Sequence, residues 1–294
     1  MTQRIRKAVF PVAGLGTRFL PAAKSIPKEM LTVVDRPALQ HVVDEAREAG
    51  IEHFIFVTGR NKAVIEDHFD IAYELEETLQ KRGKLKELRA LKAELPAPGT
   101  TSFTRQQVPL GLGHAVWCAR EIVGNEPFAV LLPDMLTLAG TQGRCLAQCV
   151  AAYEKHGGNI IAVEEVPSDE THNYGVVSIG KDFGSTFEIT GMVEKPPHGT
   201  APSNLIISGR YVLGPEIFSI LETGEKGAGG EIQLTDGMKA LARSQAFHGV
   251  RFDGKTYDCG GKLGFLAANV AFALADPELA HLLKTDLKKI LGTP

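Results

Sequence analysis

Short apolar segments alternate with helix-prone segments through the first half of the chain. Residues 37–49 read as a helix, with Pro37 in its first turn and Gly50 just past its end. Strands that alternate with helices predict an α/β fold with a mainly parallel sheet flanked by helices. Four segments read as buried strands because apolar, β-prone residues run together in them: 7–12, 53–58, 128–132 and 159–165.

The pattern changes from residue 174 onward. Three β-prone segments, 174–179, 187–194 and 205–212, follow one another without a long helix between them. They predict an antiparallel portion added to the sheet. Two helices, 262–274 and 277–291, are predicted to close the chain, and no linker separates independent domains.

The charge balance excludes several classes of partner. Thirty-two Lys and Arg against 35 Asp and Glu give a net charge of −3. Nucleic-acid binding through bulk phosphate attraction is therefore not expected, and any anion site must be local. The longest nearly apolar run, 265–275, is shorter than the roughly 20 residues that cross a bilayer, so we expect no membrane segment.

The N-terminal residues and the cysteines bear on compartment. Basic residues precede the apolar stretch 8–16 as they would in a secretory signal, but Pro11, Gly14 and Gly16 interrupt it. Four cysteines in a chain of this length, without such a signal, read as reduced thiols. Cys145 and Cys149 share a helical face without the further ligands that zinc needs, so we expect buried thiols in a cytoplasmic protein.

A glycine-rich turn follows the first predicted strand. Gly14 and Gly16 would let backbone N–H groups approach an anion closely, and phosphate is the anion that such turns bind. A dinucleotide-binding turn would have a third glycine where Phe19 stands, and a Walker loop would end in Gly-Lys-Ser/Thr, whereas this one reads Gly16-Thr17-Arg18. Dehydrogenase and ATPase interpretations are therefore disfavoured, and a tight turn without a ligand stays open.

The continuation of this turn, residues 18–31, adds Arg18 and Lys28 to the glycines. The run resembles the N-terminal signature of the sugar-1-phosphate nucleotidyltransferases. The resemblance extends over nearly the whole chain, because further segments match the family in the same order: 109–116, 131–134, 174–177, 193–196, 227–236 and 258–260.

This resemblance implies a Rossmann-like, mainly parallel mixed sheet flanked by helices, with the antiparallel portion serving a sugar site. Residues 1–275 would form one catalytic domain, with a nucleotide half at about 1–135 and a sugar half at about 136–275, followed by a C-terminal helix at 276–294. The implied activity transfers a uridylyl group from UTP to glucose 1-phosphate by direct in-line attack, giving UDP-glucose and pyrophosphate. Another nucleotide and sugar pairing, such as thymidylyl transfer, stays open, as does a sugar-nucleotide sensor without catalysis.

The resemblance also implies roles for individual residues. Arg18 and Lys28 would stabilise phosphate charge, and Asp134 with Asp258 would hold Mg2+, Asp258 either directly or through water. Gly175, Glu194 and Lys195 would bind the sugar phosphate. The nucleotide would contact Ala13, Gly14, Gly16, Glu29, Gln106, Gly111 and Gly113.

The implied reaction explains why cations, and no activated nucleophile, are expected at the site. A phosphate monoester has a second pKa of about 6, so the attacking oxygen is ionised at neutral pH without a general base. The Gln106 amide, with donor and acceptor together, suits a uracil edge. His114 and Trp117 read as packing or cap residues, and Thr235 as a possible cap of a helix starting at Asp236. The roles of Glu231 and Asp236 stay open, and the family implies a homodimer or homotetramer.

Overall fold

A nine-stranded mixed sheet lies at the centre of the protein, whose residues 3–292 the computed structural model describes. Along the chain the strands are β1 (Lys7–Pro11), β2 (Thr32–Val33), β3 (Arg36–Pro37), β4 (His53–Thr58), β5 (Thr101–Arg105), β6 (Phe128–Leu131), β7 (Met135–Ala139), β8 (Asn159–Glu165), β9 (Gly175–Asp182), β10 (Thr186–Glu194), β11 (Leu205–Leu213), β12 (Phe247–Arg251) and β13 (Gly254–Asp258). The large sheet has the order β5-β4-β1-β6-β11-β8-β12-β10-β9, while β2–β3 and β7–β13 form separate two-stranded ribbons.

Helices cover both faces of this sheet, and two further helices form the end of the chain. They are α1 (Ala38–Glu48), α2 (Ala63–His68), α3 (Tyr73–Lys81), α4 (Leu85–Glu94), α5 (Leu112–Trp117), α6 (Arg120–Val123), α7 (Cys145–His156), α8 (Ile217–Glu222), α9 (Leu234–Leu241), α10 (Lys262–Ala275) and α11 (Ala280–Leu291). None of the helices between residues 3 and 292 combines the length and the apolar character needed to cross a bilayer.

Strand β1 shows why the sheet is buried on both sides. Ala8 and Phe10 point into the core beneath α1 and α7, whereas Val9 points into the core beneath α5, α8 and α9. All three side chains are fully buried. Successive residues of a strand face opposite sides, so a strand covered on both faces must be apolar throughout, as this one is.

The sheet direction changes at β11. Strands β5, β4, β1 and β6 run parallel, as the alternation of strands and helices predicts. Strand β11 lies antiparallel between β6 and β8, which makes the sheet mixed. Gly209 interrupts β11 with a φ of 77°, and the register shifts between Ile207 and Tyr211. The predicted α/β fold with a flanked mixed sheet and an antiparallel portion is therefore confirmed.

The antiparallel portion curls back toward the first half of the sheet. Strands β9 and β10 pair with each other so that Gly175 lies opposite Glu194. The start of β9 also pairs with β11, at Val176 and Ile206. This second pairing brings the Gly175–Glu194 end of the hairpin beside the carboxyl end of β6, where parallel α/β sheets bind ligands.

Candidate active site

Two adjoining cavities open at the carboxyl ends of β1 and β6. The smaller cavity has a volume of about 420 Å³ and is lined by the glycine-rich turn and the Gly111 loop. The larger cavity has a volume of about 730 Å³ and is lined by the β9–β10 end, Arg18 and Asp258. Their common wall consists of Thr17, Leu112, Leu132 and Asp134. A ligand with two parts could therefore occupy both cavities and cross at Asp134.

The glycine-rich turn adopts a conformation that requires glycine at one position. Gly16 has a φ of 67°, and a Cβ there would lie 3.1 Å from the Ala23 Cβ and 3.3 Å from the Lys28 Cβ. The short 3₁₀ turn Thr17–Phe19 follows and directs Arg18 toward the larger cavity. Phe19, which stands where a dinucleotide-binding turn would have glycine, packs edge-on against Phe265 at 5.5 Å between ring centroids. Phe19 thus anchors the turn to α10.

Lys28 and Asp134 form an ion pair at the floor of the smaller cavity. The Lys28 Nζ lies 2.5 Å from the Asp134 Oδ2, and both side chains are more than four-fifths buried. Burial lowers the pKa of Lys28, but the Asp134 carboxylate outweighs it and the net shift is upward. Burial likewise raises the pKa of Asp134, and Lys28 reverses this to a net shift downward. Both groups are therefore charged at neutral pH.

A buried arginine fixes the loop that carries Asp134. Arg210, on β11, is fully buried and donates hydrogen bonds to the carbonyl oxygens of Leu132 (3.1 Å) and Met135 (2.7 Å). These carbonyls stand on either side of Pro133 and Asp134 in the chain. Glu45 of α1 pairs with the same guanidinium at 2.8 Å. The position of Asp134 is thus set from its backbone, independently of Lys28.

Asp134 and Asp258 both present carboxylates to the larger cavity. Asp258 lies opposite Met135 in the β7–β13 ribbon, and the Cys259 N–H donates to the Asp134 carbonyl at 2.7 Å. Both carboxylates line the larger cavity, and the Asp258 Oδ1 already accepts the Gly260 N–H. Mg2+ takes one or two carboxylates and completes its shell with phosphate oxygens and water. This donor pair fits Mg2+ bound together with a phosphate substrate. Between residues 3 and 292, no group of three or more His, Cys, Asp or Glu side chains is arranged to hold a metal ion by itself.

Gln106 and the Gly111 loop form the far wall of the smaller cavity. The Gln106 Nε2 donates to the Gly111 carbonyl at 3.0 Å and lies 3.0 Å from the His114 Nδ1. Gly113 packs so closely that a Cβ there would lie 2.8 Å from the Ile232 carbonyl oxygen. Of the two roles predicted for His114, packing is confirmed by its stacking on Trp117, whereas capping is wrong, because no side chain caps α5 and the ring contacts Gln106. Trp117 packs as predicted, stacked on His114 and with the Arg120 guanidinium 3.7 Å from its ring centroid.

Glu29 does not lie where the sequence predicts it. Its side chain is 2% exposed, lines neither cavity, and pairs with Lys62 at 2.7 Å. Within the 3₁₀ turn Lys28–Met30, Lys28 faces the cavity and the next side chain points into the protein. Burial raises the pKa of Glu29, and Lys62 only partly offsets this. In this structure Glu29 therefore anchors the Lys28 turn and stands outside the lining of both cavities.

The larger cavity contains a fixed carboxylate next to a lysine. The Glu194 Oε2 accepts a hydrogen bond from the Thr235 Oγ1 at 2.7 Å. A Cβ on Gly175 would lie 3.0 Å from the same Oε2, so a larger residue there would press on the Glu194 carboxylate. Lys195 has a φ of 45°, and its N–H donates to the Tyr174 carbonyl. A strained non-glycine residue at a cavity is typical of a functional site.

The expectation that Thr235 caps a helix starting at Asp236 is also wrong. Helix α9 begins at Leu234, and no side chain caps it. Thr235 therefore lies inside the first turn and orients Glu194. Glu231 and Asp236 separate in the structure: Glu231 lines the smaller cavity, while the Asp236 carboxylate fills the space over Gly227.

Several cavity residues were not singled out from the sequence. Tyr174 and Gln233 fall inside segments that match the family, which was the available signal. For the others the chain offers no local signal, because they reach the larger cavity through tertiary contacts: His172, Asn173, Ile207 and Tyr211.

Comparison with known proteins gives consistent matches. Residues 7–273 match the nucleotidyl transferase family. The chain is 52% identical to the UTP–glucose-1-phosphate uridylyltransferase of Komagataeibacter xylinus over 263 residues, 90% of this chain and 92% of that one. It is 50% identical to the enzyme of the same name from Bacillus subtilis (strain 168) over 290 residues, 99% and 98% of the two chains. The solved UTP-bound UGPase from Acinetobacter baumannii superposes with a TM-score of 0.90 at 46% identity, covering 96% of this chain and 98% of that chain.

Proposed function

Because the chain belongs to the nucleotidyl transferase family, we propose that it transfers the uridylyl group of UTP to glucose 1-phosphate, giving UDP-glucose and pyrophosphate. The single feature that supports this most is the pair of cavities with a common wall at Asp134. One cavity accommodates a nucleotide and the other a sugar phosphate, with the charged groups where the two meet. The relatives named for this reaction favour uracil and glucose over other pairings.

The smaller cavity is the proposed site for UTP. Ala13, Gly14, Gly16, Gly111 and Gln106 line it, and the glycines leave the backbone open to the nucleotide. Gly113 contributes by allowing α5 to pack against the Ile232 carbonyl. The larger cavity is the proposed site for glucose 1-phosphate. There, the Glu194 carboxylate accepts hydrogen bonds from sugar hydroxyls and the Lys195 ammonium holds phosphate.

The proposed reaction is a direct displacement at the α-phosphorus. An oxygen of glucose 1-phosphate forms a bond to this phosphorus, the bond from it to the oxygen bridging the α- and β-phosphates breaks, and pyrophosphate leaves with the electron pair. Arg18 and Lys28 offset the repulsion between the reactants and the charge that develops on pyrophosphate. Asp134 and Asp258 would hold Mg2+, which when bound supplies further neutralisation of phosphate charge.

A product-formation panel tests this function. UTP, dTTP, ATP and GTP are each paired with glucose, galactose and mannose 1-phosphates, and pyrophosphate release is measured with Mg2+ present. We expect the highest kcat/KM for UTP with glucose 1-phosphate, and release only when both substrates are present. A higher value for dTTP would favour thymidylyl transfer. Tight binding of UTP without turnover of any sugar phosphate would favour a sensor.

The stereochemistry at phosphorus tests the displacement itself. Transfer from a UTP with one sulfur on the α-phosphorus should invert the configuration, because a single in-line step inverts. Retention would require two displacements through a uridylylated side chain and would contradict the proposed mechanism.

Two further properties belong to the same proposal. Leu263, Leu266, Leu282 and Ile290 on α10 and α11 are each more than 60% exposed, and burial of this surface against a second copy would give the homodimer or homotetramer expected for the family. Light scattering on the purified protein measures this, and a monomer at micromolar concentration would contradict it. Unpaired cysteine thiols and a nucleoside triphosphate substrate fit the cytoplasm, where we place the enzyme.

A further inference from the structure

Both hydrogens of the Gln106 side-chain amide are used inside the protein. The Gln106 Nε2 lies 3.0 Å from the Gly111 carbonyl oxygen and 3.0 Å from the His114 Nδ1. A carbonyl oxygen only accepts hydrogen bonds, so the amide nitrogen, and not the amide oxygen, must face Gly111. This corrects the expectation that Gln106 offers donor and acceptor together to a base.

The amide oxygen is the free end of this side chain. Within residues 3–292 the Gln106 Oε1 has no hydrogen-bond partner, and it is not among the buried polar atoms left without one. Gln106 is only 7% exposed and lines the smaller cavity. The accessible function of this residue in the cavity is therefore a hydrogen-bond acceptor.

His114 helps to hold the Gln106 amide in this orientation. Because the Gln106 nitrogen donates, the His114 Nδ1 accepts, which places the ring proton on Nε2. The ring is stacked on Trp117 with 5.8 Å between centroids, and the Arg120 guanidinium also packs on Trp117, 3.7 Å from its centroid. Burial lowers the pKa of His114, which keeps the ring neutral and its Nδ1 lone pair available. His114 lines neither cavity, and its contact with a cavity residue on this side is the one with Gln106.

We propose that His114 is a positioning residue that fixes Gln106 as an acceptor, so that the site selects bases carrying an N–H at ring position 3. The proposal rests on the proposed function, since it assumes that the smaller cavity holds the base of UTP. Uracil and thymine carry a hydrogen on N3. Cytosine presents a lone pair there, so two acceptors would face each other. The fixed orientation of the Gln106 amide therefore selects UTP over CTP and does not separate UTP from dTTP.

Three variants test the positioning role of His114. His114→Leu leaves the amide held by the Gly111 carbonyl alone and weakens its orientation, and we expect the UTP to CTP ratio of kcat/KM to fall about tenfold, the effect of one neutral hydrogen bond. His114→Gln restores an acceptor oxygen within reach of the amide, and we expect most of the ratio to return. His68→Leu is the matched control, because His68 also contacts a glutamine amide, that of Gln40 at 2.9 Å, but lines neither of the two cavities. It should leave the ratio unchanged.

A binding measurement tests the positioning role of His114 separately from the proposed uridylyl transfer. Calorimetric titration of each variant with UTP and with CTP should show the same loss of preference as the kinetics. Unaltered protein should bind UTP methylated at N3 at least about tenfold more weakly than UTP, whether or not His114→Leu folds. A UTP to CTP ratio that stays at the wild-type value in folded His114→Leu would overturn the proposal, as would equal binding of the methylated nucleotide. A wild-type protein that prefers UTP to CTP but makes no UDP-glucose would contradict the proposed uridylyl transfer and leave the positioning role of His114 supported.

Discussion

The guanidinium of Arg210 and the carboxylate of Glu45 form a fully buried ion pair, with 2.8 Å between the Arg210 Nη2 and the Glu45 Oε2. The pair joins β11 to α1 across 165 residues. Glu45 also accepts hydrogen bonds from the Thr137 hydroxyl and the Leu146 N–H, so its charge is well satisfied. The free donors of Arg210 reach the Asp134 loop. A structural ion pair thereby sets the position of a proposed metal ligand.

Glu45→Gln should lower the free energy of unfolding by about 3 kcal/mol or more, because it leaves the Arg210 charge buried without an opposite charge beside it. Chemical denaturation measures this change. Arg251 and Asp182 form an exposed ion pair at 2.9 Å, so Asp182→Asn is the matched control, with an expected cost below about 1 kcal/mol. A loss below about 1 kcal/mol for Glu45→Gln would mean that the buried pair is not needed for stability.

Arg18→Ala should reduce kcat by about 100- to 1000-fold, the usual effect of removing one fixed charge from a developing oxyanion. Initial rates of pyrophosphate release at saturating substrates measure this. Lys24→Ala is the control, because Lys24 is exposed in the next 3₁₀ turn and lines neither cavity. A drop smaller than tenfold in folded Arg18→Ala would remove this residue from the proposed mechanism.

Thr235→Val should raise the KM for glucose 1-phosphate about tenfold and leave the KM for UTP within about twofold. The substitution keeps the shape of the side chain and deletes the hydrogen bond that orients Glu194 in the larger cavity. Thr223→Val serves as the control, since that exposed hydroxyl donates only to the Ile220 carbonyl. Equal increases in both KM values would indicate a general disturbance instead of a role in the sugar site.

The rate should rise as the pH increases through about 6 and then stay level to about pH 9. Glucose 1-phosphate loses its second proton near pH 6 and becomes the better nucleophile. The pKa of Lys28 lies above its ordinary value of 10.5 and that of Asp134 below 3.8, so the ammonium is lost only above pH 10.5 and the carboxylate only below pH 3.8. Neither group changes charge in the measured range.

The assignment of this acid limb can be checked with a substrate. A methylenephosphonate analogue of glucose 1-phosphate has a higher second pKa, and the limb of kcat/KM should move upward with it. A limb that stays in place with the analogue would belong to the enzyme and would point to a general base.

Much of the fold was predictable because local pattern determines it. Strands β4 and β8 have the predicted bounds, and α1 agrees to within a residue at each end. Membership of the nucleotidyl transferase family, predicted from the order of the motifs, is confirmed by the match over residues 7–273. The insertion of β11 between β6 and β8 was not predictable, because it depends on pairings between distant segments.

The site was predictable to the extent that chemistry follows from residue type and motif. The structure brings Lys28 beside Asp134, and it places Glu194, Lys195 and Gly175 around one cavity. The direction in which a side chain points within a tight turn was beyond sequence reasoning, and Glu29 is the clear case. The roles of His114 and Thr235 were missed for a related reason, since each depends on a single hydrogen bond to a side chain elsewhere in the chain.

A crystal structure of the protein with UDP-glucose and Mg2+ would show where the two parts of the product bind. We expect the uracil in the smaller cavity with its N3 within hydrogen-bond distance of the Gln106 Oε1. We also expect the glucose in the larger cavity beside Glu194, with the diphosphate crossing at Asp134. A sugar nucleotide bound away from the wall shared by the two cavities would contradict this expectation.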